Sequence, residues 1–239
     1  PVGGEIWQAA PGDQEITALH CSAQGDLLIT TGSLGKLHVW GAADGQLLWE
    51  LPAHDGPITA LALSPSAASA VTAGRDGRLC IWNYASGRSL NQFTLSPQAG
   101  RATCLVHHPT VSAVFMGDDR GQITCWNPTN GQALLPALAN HSKTLLAAAV
   151  SPDGRFLVTA SLDGALLAWD LELFLLTHKN LEELTPAALP RVQSLLAAVT
   201  HPTERIWLTY VLEILRRRQK FEIELGSAVI QAGEFDIQL

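Results

Sequence analysis

The chain has 239 residues, 47% of them apolar and 15% charged, with 20 glycines; this is the profile of a folded domain with a sizeable core, and it excludes wholesale disorder. A net charge of −7 excludes a sequence-independent nucleic-acid binder, which needs basic surface to displace counterions. No apolar run approaches the roughly eighteen residues of a membrane span, and no signal peptide is visible. Residues 1–176 carry 8 Lys/Arg against 14 Asp/Glu, and residues 177–239 carry 7 against 8, so the acidity belongs to the first part. Cys21, Cys80, Cys104 and Cys125 form no C-x-x-C pair and sit in apolar alternating runs. They read as free thiols in a reducing compartment, which predicts a cytoplasmic protein.

In chain order, a short strand-like segment at residues 3–9 comes first. It aligns with the stretch around Trp49, with Trp7 on Trp49 and Leu19 on Leu61 at an offset of 42. A longer repeat follows. Gly35 and Trp40, Gly77 and Trp82, Gly121 and Trp126, and Gly164 and Trp169 recur with the tryptophans 42, 44 and 43 residues apart. A fixed period of this size marks a repeat architecture. Strand-like runs precede each Gly turn, at 27–31, 69–73, 113–117 and 156–160. A second turn follows the first three tryptophans, in "AADGQ", "YASGR" and "PTNGQ", and leads into another apolar stretch. Each unit therefore predicts four short strands joined by tight turns. The inner strands are apolar on both faces, so every sheet needs a neighbour on each side.

On these residues the sequence resembles the WD40-repeat β-propellers over about 170 residues. The resemblance implies an all-β propeller for residues 1–176, with four recognisable blades, and a small α+β appendage at 177–239. It also implies a buried hydrogen-bonded set of His, Ser/Thr, Asp and Trp in each blade. His54, Thr72, Asp76 and Trp82 match it in the second unit, and His141, Thr159, Asp163 and Trp169 in the fourth, with identical intervals of 18, 4 and 6. The first unit keeps Thr30 and Trp40 but has Gly12 and Leu34 at the His and Asp places. The third keeps only Trp126, with Gln98, Met116 and Arg120 at the others.

A recurring His, Asp and hydroxyl invite a catalytic-triad reading. Catalysis needs one accessible constellation, whereas this set recurs wherever a blade must be braced, so the sets read as structural. His107 and His108 point to opposite faces of a strand, and the acidic pair in "GDDRG" lacks spaced oxygen ligands, so neither predicts a metal site. No Walker lysine motif, G-x-S-x-G or H-E-x-x-H occurs, and no cofactor is expected.

After Asp170 the period breaks. Thr185–Pro186 or Pro190 starts a helix whose stripe is Val192, Leu195, Leu196 and Val199. Thr203 caps a second helix bearing Trp207 and Tyr210, and the last residues alternate as a short ribbon. Two closures of the ring stay open. Residues 3–9 are the outer strand of a preceding blade, with an upstream region or another chain covering the bare faces, or they complete the fourth unit and close a four-bladed ring.

The resemblance implies a non-enzymatic protein-interaction scaffold, a subunit or docking platform of a multi-protein assembly. Its candidate partner surface is Ser33, Asp55, Arg75, Arg101, Asp118, Asp119 and Leu162 on the propeller, with Trp207 and Tyr210 on the appendage. The rival reading is a regulatory or sensor segment of a larger signalling enzyme, a kinase or NTPase, whose catalytic part lies elsewhere.

Overall fold

Strands need ladder partners, and the repeat supplies them within each unit. A computed structural model describes residues 4, 6–12, 14–96, 99–171, 189–198 and 216. The chain separates into two compact units, Pro1–Asp170 and Leu171–Leu239.

The first unit contains four antiparallel blades. Blade 1 is β1 (Ile16–Cys21), β2 (Leu27–Gly32), β3 (Lys36–Gly41) and β4 (Leu47–Pro52). Blade 2 is β5 (Ile58–Leu63), β6 (Ser69–Gly74), β7 (Arg78–Asn83) and β8 (Arg88–Thr94). Blade 3 is β9 (Ala102–His107), β10 (Val114–Asp118), β11 (Ile123–Trp126) and β12 (Ala133–Leu138). Blade 4, among the described residues, is β13 (Leu145–Val150), β14 (Phe156–Ser161) and β15 (Leu166–Asp170). Order in each blade follows the chain, so every connection is a hairpin.

The register repeats as the sequence does. Trp40 lies opposite Leu28, Trp82 opposite Ala70, Trp126 opposite Val114 and Trp169 opposite Leu157. The innermost strands adjoin in series, β1 beside β5, β5 beside β9 and β9 beside β13. Apolar faces meet between blades. Ile29, Leu37 and Val39 of blade 1 pack on Ile58, Leu61 and Trp82 of blade 2. Val71, Leu79 and Ile81 of blade 2 pack with Leu105, Val114 and Met116 of blade 3.

Two glycine positions hold the hairpins. Gly35, Gly77, Gly121 and Gly164 end the turn before each third strand at φ between 76° and 84°, a left-handed conformation that side chains resist. Gly45, Gly87 and Gly131, at φ of 67° to 69°, end the turn before the outer strand. A Cβ at Gly87 would strike the Trp49 ring, and one at Gly131 the Phe93 ring. The outer strands of blades 1 and 2 thus each lay an aromatic ring on the second turn of the following blade.

Trp7 does the same to Gly45, and its Nε1–H donates to Ala42 O at 3.0 Å. The residue therefore occupies the place of a preceding blade's outer-strand aromatic, as the alignment with Trp49 predicts. Among the described residues of this segment no strand forms: residues 6–12 lie in none, and β15 pairs with β14 alone. The physical reason is the missing partner, because an extended segment with no inner strand beside it has nowhere to direct its backbone bonds. The alternative closure into a four-bladed ring is likewise not formed by these residues.

In the second unit, α1 (Leu189–Ala198) is described. Pro190 sits in its first turn, where its missing N–H costs nothing. Leu196 is half-buried while Gln193, Ser194 and Ala197 are exposed. The second helix with Trp207 and Tyr210, and the closing ribbon, fall outside the described residues. None of the described helices is long and apolar enough to cross a membrane.

Gly164 and Gly131 separate left-handed strain from ring contact by experiment. Gly164→Ala meets no neighbouring atom and should cost only left-handed strain, about 1–2 kcal/mol. Gly131→Ala adds an overlap with Phe93 and should lower the urea midpoint further, by an additional ~1–3 kcal/mol. Equal midpoints for the two variants would contradict the ring-on-turn packing.

Candidate functional site

A buried indole N–H must find an acceptor, and each blade provides one. Trp82 Nε1–H donates to Thr72 Oγ1 at 3.1 Å, and Thr72 Oγ1 lies 2.8 Å from His54 Nε2. His54 Nδ1 is 3.0 Å from Asp76 Oδ1. One proton arrangement satisfies all of them: indole to hydroxyl, hydroxyl to Nε2, and Nδ1–H to carboxylate. Asp76 also accepts from the backbone N–H groups of Asp55 and Arg78, at 2.9 and 3.0 Å. Blade 4 repeats the chain. Trp169 Nε1–H donates to Thr159 Oγ1 at 3.1 Å, His141 Nε2 lies 3.0 Å from that hydroxyl, and His141 Nδ1 lies 3.1 Å from Asp163 Oδ2. Ser142 N–H and Ala165 N–H both reach Asp163 at 2.9 Å.

The electrostatics fit this arrangement. Burial pushes the Asp76 carboxyl up, but the Asp55 N–H, His54 and Arg78 outweigh it and bring it down to about 2. Burial dominates at His54 and lowers its pKa, which keeps the imidazole neutral and Nε2 free to accept. The hydroxyls of Thr72 and Thr159 are inaccessible and already engaged by indole and imidazole. A nucleophile needs an exposed oxygen and a site for substrate, and these sets offer neither.

The two departing blades are braced by residues that spacing alone misses. In blade 1, Gln14 fills the place of the imidazole, not Gly12. A Cβ at Gly32 would strike the Gln14 amide, just as one at Gly74 would strike His54. Gln14 Nε2 donates to His38 Nδ1 at 2.9 Å, His38 Nε2 lies 3.2 Å from Glu50, and Trp40 Nε1–H donates to Thr30 Oγ1 at 2.9 Å. Gln14 stands two residues before β1, whereas His54 stands four before β5, so the amide reaches the same place from a different position along a segment of the same length.

In blade 3 the carboxylate is Asp118, not the residue at the Arg120 place. It accepts from the N–H groups of Gly100 at 3.1 Å, Arg120 at 2.9 Å and Gln122 at 2.8 Å. Asp118 is 1% exposed, which corrects its expected place on the partner surface. The cause is direction: as the last residue of β10 it points inward, and Asp119 beside it points out. Met116 carries no hydroxyl, so Trp126 Nε1–H donates instead to Thr124 Oγ1, two residues away on its own strand, at 2.8 Å. Gln98 lies outside the described residues.

The paired histidines also divide. His108 Nε2–H donates to Gly154 O of blade 4 at 2.9 Å, while its Nδ1 accepts from Thr110 and Val111 N–H at 3.2 Å. His107 Nε2 is buried without a partner, and burial lowers its pKa to about 4.

At the end of the blades that carries these braces, one backbone bond repeats. Ser33 N–H donates to Glu15 O at 2.9 Å, Arg75 N–H to Pro57 O at 2.9 Å, Asp119 N–H to Arg101 O at 3.0 Å and Leu162 N–H to Thr144 O at 2.9 Å. Ser33, Arg75, Asp119 and Leu162 are therefore equivalent positions on one rim. Arg75, Asp119 and Leu162 are exposed, and Ser33 is half-buried, its Oγ accepting from Glu15 N–H. Asp55 and Arg101 lie on the incoming loops and are exposed, with Asp55 paired to Arg78 Nη2 at 2.6 Å.

Stacked antiparallel blades with indole-hydroxyl braces define a β-propeller repeat protein. Residues 1–134 match a family model described as outer membrane protein assembly factor BamB, and residues 133–170 match the WD domain, G-beta repeat. The chain belongs to these WD40 and PQQ-like repeat propellers. An uncharacterised WD repeat-containing protein of Schizosaccharomyces pombe is 32% identical over 63 residues, 26% of this chain. The match spans about 10% of that relative's length. Two solved structures share the fold. The computationally designed Ika4 protein matches at 24% identity and a TM-score of 0.59, over 71% of this chain and 99% of that one. A chain of the mitotic checkpoint complex matches at 22% identity and a TM-score of 0.58, over 65% of this chain and 50% of that one.

Asp118→Ala would orphan three backbone donors and should destabilise the first unit by about 1–3 kcal/mol in urea unfolding. Asp119→Ala, which removes an exposed side-chain hydrogen bond from Arg101 N–H, should stay within about 0.5 kcal/mol of wild type. Equal losses would contradict the assignment.

Acid should act in two stages. His54 and His107 have folded pKa values below 6.5, so their stabilising contribution is complete above that pH and is lost as pH falls. Asp76 at about 2 contributes above 3.8 and loses its share between 3.8 and 2. The urea midpoint should therefore fall from pH 6.5 to 4 and fall again below 4, with His107→Asn reducing the first fall. A flat profile between 6.5 and 4 would contradict the neutral, buried imidazoles.

Proposed function

We propose that this chain is a non-enzymatic docking platform, a subunit that holds protein partners within a multi-protein assembly. The observation that carries this reading is the rim row. Its backbone bond is constant in four blades while its side chains are hydroxyl, cation, anion and apolar at Ser33, Arg75, Asp119 and Leu162. A constant frame with variable tips is the arrangement that specific recognition needs, because scaffold and contact chemistry vary independently. Asp55 and Arg101 extend the same rim. The His, Thr, Asp and Trp sets hold it in place. Free Cys80 and Cys125, both buried and with thiols pushed up to about 11 and about 12, fit a reducing, cytoplasmic setting. A structurally similar chain lies in an assembly named the mitotic checkpoint complex, which supports the general role and names no partner here.

The test compares what the full chain and a rim variant recover from their native extract, quantified by mass spectrometry. Arg75→Glu with Leu162→Asp should reduce a specific partner at least about tenfold, a loss of about 1.4 kcal/mol, with an unchanged unfolding midpoint. Undiminished recovery would contradict the rim as the docking face. Turnover of a substrate by purified protein would contradict the non-enzymatic reading.

A further inference from the structure

The repeat provides an internal standard for the junctions between blades, because each position recurs 42 residues on from blade 1 to blade 2 and 44 on from blade 2 to blade 3. Where blades 1 and 2 meet, Leu27, Leu63 and Tyr84 pack into the shared core, and Trp49 covers Gly87. Where blades 2 and 3 meet, the same positions hold Ser69, His107, Pro128 and Asn91. The ladders bear out the equivalence. Trp49 is opposite Val39 as Asn91 is opposite Ile81, and Leu63 is opposite Ala70 as His107 is opposite Val114. The ring that covers Gly131 comes from Phe93, two residues further along β8, which leaves the place of Trp49 to Asn91. The backbone changes as well. Ala42 N–H donates to Asp26 O at 2.9 Å and Tyr84 N–H to Ala68 O at 3.1 Å, but Pro128 has no N–H to continue the series.

What these exchanges leave is a cleft of about 370 Å³ between blades 2 and 3, at the end of the strands opposite the rim. Its size is that of a small-molecule site. Ile81, Leu90, Val111 and Pro128 give it apolar wall, and Asn91 Nδ2 donates to Thr129 O across the junction at 2.8 Å. Ser66, Ser69, Thr110, Ser112 and Thr129 also line it, and their hydroxyls hold no hydrogen bond among the described residues. None of the lining residues is Asp, Glu, Lys or Arg, and burial keeps His107 neutral. His107 Nε2 is an orphaned polar atom in a wall that the neighbouring junction makes from Leu63. A gap left by lost packing alone is apolar, whereas this one has exchanged apolar bulk for hydrogen-bonding groups.

We propose that this cleft binds an uncharged aromatic small molecule bearing a hydrogen-bonding group. Its ring takes the place that Tyr84 and Trp49 fill one blade earlier, and its polar group meets the wall of hydroxyls and amide. The lining excludes the other classes. An ion would lose its hydration with no opposite charge to replace it, and a plain alkyl chain would bury hydroxyls without partners. The cleft and the rim lie at opposite ends of the strands, so this proposal and the docking proposal fail independently.

Nitrogen-edited NMR titration of the full chain with skatole and para-cresol, the free-molecule forms of the tryptophan and tyrosine side chains, provides the test. Each should bind with a Kd of about 1 mM or tighter. The amides of Ser69, Asn91, His107 and Thr129 should shift, while those of the equivalent Leu27, Trp49, Leu63 and Ala85 stay in place. Indole carboxylate, which adds a charge to the same ring system, should bind at least about tenfold more weakly. His107→Leu with Pro128→Tyr rebuilds the filled junction and should weaken both probes at least about tenfold without lowering the urea midpoint. Ser69→Leu is the second variant, a single change that narrows the cleft, and should weaken both at least about threefold. Absence of binding by both probes, shifts centred away from the cleft, or equal affinity for the carboxylate would overturn the proposal. So would a folded variant, of either kind, that binds the probes as the wild type does.

Discussion

Every blade is organised by one demand: a tryptophan indole at the end of its third strand is tucked against the second strand and needs an acceptor for its N–H. Leaving such a donor unpaired costs about 1–3 kcal/mol, so the partner hydroxyl is not optional. Thr30, Thr72 and Thr159 supply it from the second strand, and Thr124 supplies it from the third. In blades 2 and 4 the same hydroxyl is held by an imidazole, and that imidazole by a carboxylate that gathers the N–H groups of the turn and the incoming loop. The bond therefore reaches from the core to the rim. It ties the second strand to the third, the third to its Gly turn, and the turn to the loop that enters the blade.

This chain of dependence explains which parts of the structure the sequence discloses. The tryptophan period, the Gly turns and the brace sets of blades 2 and 4 follow fixed spacing, because strand and turn lengths there are the same. The architecture and its hairpin register were legible for that reason. Gln14 was not, since it stands two residues before β1 where His54 stands four before β5, and fixed offsets point to Gly12. Asp118 was misplaced because two adjacent acids look alike in a turn, while the first ends β10 buried and the second begins the exposed turn. Thr124 was invisible to an alignment that sought the hydroxyl at Met116. In all three the requirement is spatial, and chemically different residues meet it.

The same contrast separates frame from contact surface. Residues that brace the blades face inward, and the carboxylates of blades 2, 3 and 4 are committed to backbone donors. Ser33, Arg75, Asp119 and Leu162 share a backbone role and differ in everything their side chains present. Their turn positions were legible; the identity of their partners is a property of the assembly and not of the period.

Hydrogen exchange at the indole N–H groups, followed by nitrogen-edited NMR, tests the bracing most directly. The account predicts that Trp82 and Trp40, enclosed and bonded to Thr72 and Thr30, exchange only with unfolding of the first unit, and that Thr72→Val accelerates Trp82 far more than Trp40. Exchange of Trp82 at the rate of a free indole in the wild-type protein, or no acceleration on removal of the Thr72 hydroxyl, would contradict it.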